Sequence, residues 1–171
     1  MKKGIVIGII VAVLAIIGVL LIIIKPFGKQ ESSISYSRNQ EAKIKEENIS
    51  IKVNSVEQVR KQHLIGNETK NYIKVNVTVT NNSSKNTTVP VLNFNIVDNN
   101  GQEYSEDSVW IEDDNKFSSD ISAGSSTRGN LFFEANLKNG MELQYCTIEN
   151  AHMSSDGKLQ GNYKYYNIKL D

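Results

Sequence analysis

Nine consecutive residues, Tyr72-Ile73-Lys74-Val75-Asn76-Val77-Thr78-Val79-Thr80, alternate strictly between β-branched and polar side chains. A period of two sends Ile73, Val75, Val77 and Val79 to one face and Lys74, Asn76, Thr78 and Thr80 to the other, which is the pattern of a half-buried strand. Asn81-Asn82-Ser83-Ser84 then supplies turn-forming residues. Leu92, Phe94 and Ile96 alternate with Asn93 and Asn95 in a second strand, predicted to close at Asp98-Asn99-Asn100-Gly101. There Asn100-Gly101 signals a hairpin, because both residues tolerate the positive φ of a type I′ turn. Ile49–Val59, Val109–Ile111, Leu131–Ala135, Met141–Ile148 and Tyr163–Leu170 read as further strands, separated by Ser122-Ala123-Gly124-Ser125, Asn139-Gly140 and Asp156-Gly157. Short strands with turns every 8–12 residues or so predict an all-β, two-sheet antiparallel sandwich.

The first residues obey a different rule. Gly4 to Ile24 is one apolar run without a charge or polar side chain. A bilayer core takes about 20 apolar residues, and a helix is the conformation in which a lone segment satisfies its own backbone in lipid. The competing reading is a cleaved secretory signal, whose apolar core is usually about 7–15 residues and ends at a small-x-small site. The run exits through Ile24-Lys25-Pro26-Phe27-Gly28-Lys29, where no such site and no lipid-modifiable Cys occur. An uncleaved signal-anchor over 4–24 is therefore expected. Residues 1–3 then lie in the cytoplasm and the C-terminal domain outside the cell membrane. Gly4, Gly8 and Ala12 are spaced as small-xxx-small, a candidate helix–helix contact, although small residues are common in membrane helices anyway. Lys25 to Asn48 is too polar to offset its ordering entropy and reads as a flexible linker. The sandwich is then expected over 49–171, with the place of the tail 150–171 left open.

The chain has 171 residues, with 19 Lys+Arg balancing 19 Asp+Glu. That neutrality argues against a nucleic-acid binder, which would carry a basic excess. Cys146 is the one cysteine and His63 and His152 the two histidines, so neither a disulfide staple nor a Cys/His metal framework can form within the chain. Cys146 beside either histidine would make a thiolate–imidazolium pair, but within Leu143–Ile148 it reads as a small buried hydrophobe. With no catalytic triad, metal set or phosphate loop, no enzymatic activity and no cofactor are expected.

Glu103, Glu106, Asp107, Glu112, Asp113 and Asp114 crowd around Trp110. Hard cations bind several loop oxygens, yet the spacing fits no twelve-residue calcium loop, and a solvated acidic loop is the expected state. The loop could also meet a basic patch on a partner. Trp110, flanked by Val109 and Ile111, reads as core; its alternative is an exposed anchor for a protein or glycan. Trp110, Glu112, Asp113 and Asp114 are therefore the candidate partner contacts.

Four blocks in order resemble a known family. Ile51–Val56 is similar to its opening strand, Tyr72–Asn82 to its long alternating strand, Phe94–Tyr104 to its hairpin, and Ala123–Glu134 to the turn and strand that follow. The family is the telokin-like, immunoglobulin-fold domain of unknown function found in bacterial secreted and lipid-anchored proteins, a relative of the mycobacterial immunoprotective extracellular antigen. The resemblance implies an immunoglobulin-like sandwich outside the cytoplasm with no catalytic residues to carry over. The chain departs from it in lacking a lipid-modified Cys and in its Tyr-rich tail, Tyr163, Tyr165 and Tyr166. The expected function is a membrane-anchored binding module for a cell-envelope protein or glycan. The alternative is an accessory or structural subunit of an envelope membrane complex, acting through its transmembrane helix.

Overall fold

The computed structural model of the protein describes residues 32–153 and 159–171. The expected anchor, with Gly4, Gly8 and Ala12, lies outside the described residues. Among those described, no helix is long and apolar enough to cross a membrane.

The described residues form eleven strands in order: β1 (Ser32–Tyr36), β2 (Ala42–Ile44), β3 (Ile49–Gln62), β4 (Thr69–Asn81), β5 (Thr87–Thr88), β6 (Phe94–Val97), β7 (Glu103–Ser105), β8 (Asp120–Ile121), β9 (Ser126–Phe133), β10 (Glu142–Met153) and β11 (Leu159–Lys169). They form an all-β sandwich of two main sheets, ordered β1-β11-β10-β6-β7 and β2-β3-β4-β9, with β5 and β8 as a small ribbon. The alternating block becomes β4. Ile73, Val75, Val77 and Val79 are fully buried against Phe94, Ile96, Leu143, Tyr145, Tyr166 and Ile168 of the facing sheet. Each such side chain removed from water contributes about 1.5–3 kcal/mol. The tail completes the sandwich, because β11 lies between β1 and β10.

Residues 32–48 correct the expected linker. Ala42 and Ile44 alternate with Lys43, and both are fully buried in β2. β1 packs Tyr36 against the core, with Ile34 exposed, and joins the sheet through parallel pairing with β11, from Ser32↔Lys164 to Tyr36↔Ile168. Edge addition needs backbone donors and acceptors rather than an apolar face, which is why composition did not mark it. Charge fastens the β2–β3 turn: Glu46 accepts hydrogen bonds from Lys164 Nζ and Tyr166 Oη, and Glu47 accepts one from Tyr145 Oη at 2.6 Å. Burial opposes ionisation of Glu46, but Lys164 and Tyr166 outweigh it and hold the carboxyl at about 2.

Three local expectations also change. Leu92 falls in a 3₁₀ turn, Val91–Asn93, and is exposed rather than on the core face. The β6–β7 hairpin forms without a type I′ turn. Only Gly101 takes a positive φ, +76°, while Asp98 Oδ1 accepts from the Asn100 and Gln102 amides. The predicted strand Val109–Ile111 is replaced by a 3₁₀ turn, Ser108–Trp110.

The free edge of β9 is covered by the segment before β8. Phe117 N–H donates to Asn130 O at 3.1 Å, Asn130 N–H donates to Asn115 O at 2.7 Å, and Glu106 bridges Phe133. Gly129 permits this approach: a Cβ there would sit 2.3 Å from Phe117 Cα. Such covering keeps an edge from pairing with other chains.

Candidate functional site

The β3–β4 hairpin pairs out to Gln62↔Thr69, past one bulge between Val53 and Ser55, and turns over His63–Glu68. Gly66 and Asn67 take positive φ, +81° and +53°, which glycine and asparagine adopt at least cost. The His63 amide donates to Glu68 O at 2.8 Å, and the Ile65 amide donates to His63 Nδ1 at 3.1 Å. This geometry leaves Leu64 and Ile65 outside, 50% and 58% exposed.

The turn Ser108–Trp110 packs beside that tip. Leu64 N–H donates to Trp110 O at 2.9 Å, and His63 bridges Ile111. The His63 ring stacks on Trp110 with centroids 6.0 Å apart and planes 28° from parallel, while its Nε2 lies 3.7 Å from Asp107 Oδ2. Because a 3₁₀ turn breaks the strand period, Ile111 takes the core position and Val109 and Trp110 face out, at 67% and 39% exposure. Trp110 is thus corrected from core to surface.

A second hydrophobic core supports the tip. Tyr72, Ile111 and Phe132 are fully buried together, with Val59 against them, apart from the main cluster. Tyr72 Oη donates to Asp107 Oδ2 at 3.4 Å, and burial followed by the Asp107 charge pushes the phenol up to about 12. Glu106 is only 9% exposed. Its Oε1 accepts from the Ser108 amide at 2.9 Å, the Phe132 amide at 3.4 Å and the Ser108 hydroxyl. Burial pushes this carboxyl up to about 7.

The acidic residues are not one cluster. Glu103 belongs to β7, Glu106 points inward and Asp107 faces Tyr72 and His63. Asp113 accepts from Asn130 Nδ2 at 3.0 Å and from the Asn115 amide at 2.9 Å, with Lys61 Nζ 3.7 Å away. Burial works against its charge, but those partners hold its carboxyl below the usual value. Glu112, Asp113 and Asp114 line a polar groove with Lys61, Asn115 and Lys116 beside the tip. Among the described residues, no three His, Cys, Asp or Glu side chains are placed to share a metal ion. Cys146 lies in β10, opposite Tyr165, whereas His63 follows β3 in the other sheet.

Leu64, Ile65 and Tyr72 are the members of this site that sequence reasoning missed, whereas His63, Glu106 and Val109 are read from sequence in other roles. One signal was present: two adjacent aliphatics, Leu64-Ile65, directly before Gly66-Asn67, a pair suited to a tight turn that cannot bury them.

Among curated proteins, none matches this chain. Two solved structures share its fold. The yjhA protein from Bacillus subtilis is 19% identical, with a TM-score of 0.55 over 80% of this chain and 99% of that one. The secreted protein MPT63 from Mycobacterium tuberculosis is 13% identical, with a TM-score of 0.54 over 79% of this chain and 97% of that one. Residues 36–158, spanning β2 through β10, match the domain of unknown function DUF4352, and the chain belongs to that family.

Proposed function

We propose that the protein is a membrane-anchored, extracytoplasmic binding module of immunoglobulin-like build, without enzymatic activity, whose hairpin tip docks a protein partner of the cell envelope. The observation that carries this reading is the gathering of exposed apolar side chains. Among the described residues, Leu64, Ile65, Val109 and Trp110 make up half of the eight large hydrophobics left exposed, and all four sit at one end. Grouped apolar surface of this kind marks interaction sites, and Trp is enriched where binding energy concentrates. The buried Tyr72–Ile111–Phe132 set holds the patch in shape, and Glu112, Asp113 and Asp114 form a polar rim. Aliphatic side chains beside a single indole suit a protein groove better than a glycan, which asks for more planar rings and free amides.

The placement supports display. The chain enters β1 at Ser32, paired with Lys164, which bonds Glu46 at the start of β3. The patch lies past the other end of β3, about 40 Å away at roughly 3.3 Å per residue. The apolar run Gly4–Ile24 supports a membrane anchor, and the secreted mycobacterial protein of the same fold supports an external location.

The test is cross-linking in intact cells with the full chain carrying a C-terminal tag. A reproducible partner, lost in Trp110→Ala and Leu64→Ser but kept in a core-neutral surface variant such as Lys52→Gln, is expected. Self-cross-links alone, abolished by Gly4→Leu with Gly8→Leu, would replace this reading with that of a subunit acting through its helix.

A further inference from the structure

The carboxyl of Glu106 stands out among the buried groups because nothing in the proposed docking uses it. It is inserted under the turn that presents Val109 and Trp110, and one oxygen gathers three donors: the Ser108 amide, the Ser108 hydroxyl and the Phe132 amide. Those donors come from both sides of a joint, the turn itself and strand β9. The joint is completed by the Asp107 amide donating to Phe132 O at 2.8 Å and by Phe132 N–H reaching Ser108 Oγ at 3.2 Å. No cation of the described residues lies within ion-pairing distance of Glu106.

Asp107 follows on the same segment and Lys116, on the segment crossing β9, acts only from a distance. Tyr72 from β4 and His63 from the hairpin both face Asp107 rather than Glu106. Lys61 of β3 stands over the Phe132 ring at 5.9 Å and pairs with Asp113, and Glu134 beyond β9 pairs with Lys70. The Ser108 and Phe132 donors favour a carboxylate, but burial without a countercharge outweighs them, so a proton is the natural neutralising partner of Glu106.

We propose that Glu106 is a proton-operated latch on the docking tip: protonated, it clamps the Ser108–Trp110 turn onto β9, and ionised, it draws toward water and releases that turn. This rests on the reading of the tip as the docking surface only for its purpose, since the latch itself is a property of the isolated chain. Burial places the titration of this group at about 7, within the range an external domain meets. The released turn carries Trp110 with it, so the stack on His63 and the Leu64–Trp110 hydrogen bond part together.

The chain contains one tryptophan, so its emission reads the turn directly. The experiment measures emission and acrylamide quenching of Trp110 in the full-length protein in detergent over roughly pH 5 to 9. In the wild type, quenching should rise between the ordinary carboxyl value of 4.5 and about 7, where one proton allows the open-to-closed ratio to grow by up to tenfold per pH unit, and should level off above that range. Glu106→Gln, which keeps an acceptor oxygen but no titration, should hold emission in its low-pH form throughout. His63→Asn should keep the transition. A transition that survives Glu106→Gln, or one lost in His63→Asn while Glu106→Gln retains it, overturns the latch.

Amide hydrogen exchange in the wild type guards against misfolding of the Gln variant. Protection of Ser108, Trp110, Ile111 and Phe132 should fall from about pH 6 to 8, after correction for intrinsic exchange. Unchanged protection refutes the latch. Partner capture is scored separately on Trp110→Ala, so a latch without a partner, or a partner without a latch, shows which of the two readings failed.

Discussion

Two carboxylates, Glu46 in the β2–β3 turn and Glu106 beneath the Ser108–Trp110 turn, are held in place by opposite physics. Glu46 is held by a cation and a phenol, Lys164 and Tyr166, and its carboxyl falls to about 2. Glu106 is held by amides and a hydroxyl without a cation, and burial lifts it to about 7. Both begin from an ordinary value of 4.5. The signs of their pH dependence therefore differ. Glu46, lowered on folding, stabilises above pH 4.5, and that stability drains away as pH falls through 2. Glu106, raised on folding, stabilises fully below pH 4.5, and its contribution fades as pH rises through 7. A counterion thus makes a fastening that tolerates neutral water, whereas burial without one makes a fastening that a proton must complete.

The contrast can be broken first at Glu106. Glu106→Ala should cost about 2–4 kcal/mol at acidic pH, where it strands buried amide donors. The loss should shrink markedly above neutrality, where the wild type itself bears a buried charge. Denaturant unfolding at two pH values decides, and equal losses at both would remove the distinction. Gly129→Ala comes next, because its Cβ would meet Phe117 backbone on the segment that covers β9. About 1–3 kcal/mol should disappear at every pH, as overpacking carries no proton linkage, and thermal unfolding in two buffers would check it. Glu46→Gln should cost about 1–2 kcal/mol at neutral pH, given its partly solvated setting, and nothing below pH 2. An acid titration of unfolding reads that loss. Trp110→Ala, on a surface turn, should change stability by less than about 1 kcal/mol in the same denaturation assay.

The sheets were legible because their pattern is local. β4 announces itself through alternation, and the Asn- and Gly-rich turns bound the neighbouring strands. What escaped reading depends on partners distant in the chain. β1 is a strand because β11 offers an edge more than a hundred residues later, and the single Ile34/Tyr36 alternation within Ser32–Tyr36 is too short to announce it. Ala42 and Ile44 carried a short alternation that the surrounding charges obscured. Trp110 escaped for a third reason: the period assigned to Val109–Ile111 was two, and a 3₁₀ turn rotated the indole out and Ile111 in. Trp110, Glu112, Asp113 and Asp114, named from sequence as candidate contacts, lie in the tip region. The Leu64–Ile65 half of the patch arrives from β3 and becomes its neighbour only through the hairpin.

The parallel seam between β1 and β11 has a mechanical consequence. A pull delivered through the chain preceding Ser32 runs along β1, while a load borne at the hairpin tip runs the other way. Their opposition slides β1 past β11 rather than peeling it. All five registered positions, Ser32↔Lys164 to Tyr36↔Ile168, would then share the load, and forced rupture is set by an unfolding rate rather than by equilibrium stability. The segment that composition marks as slack is the one that would carry the tension.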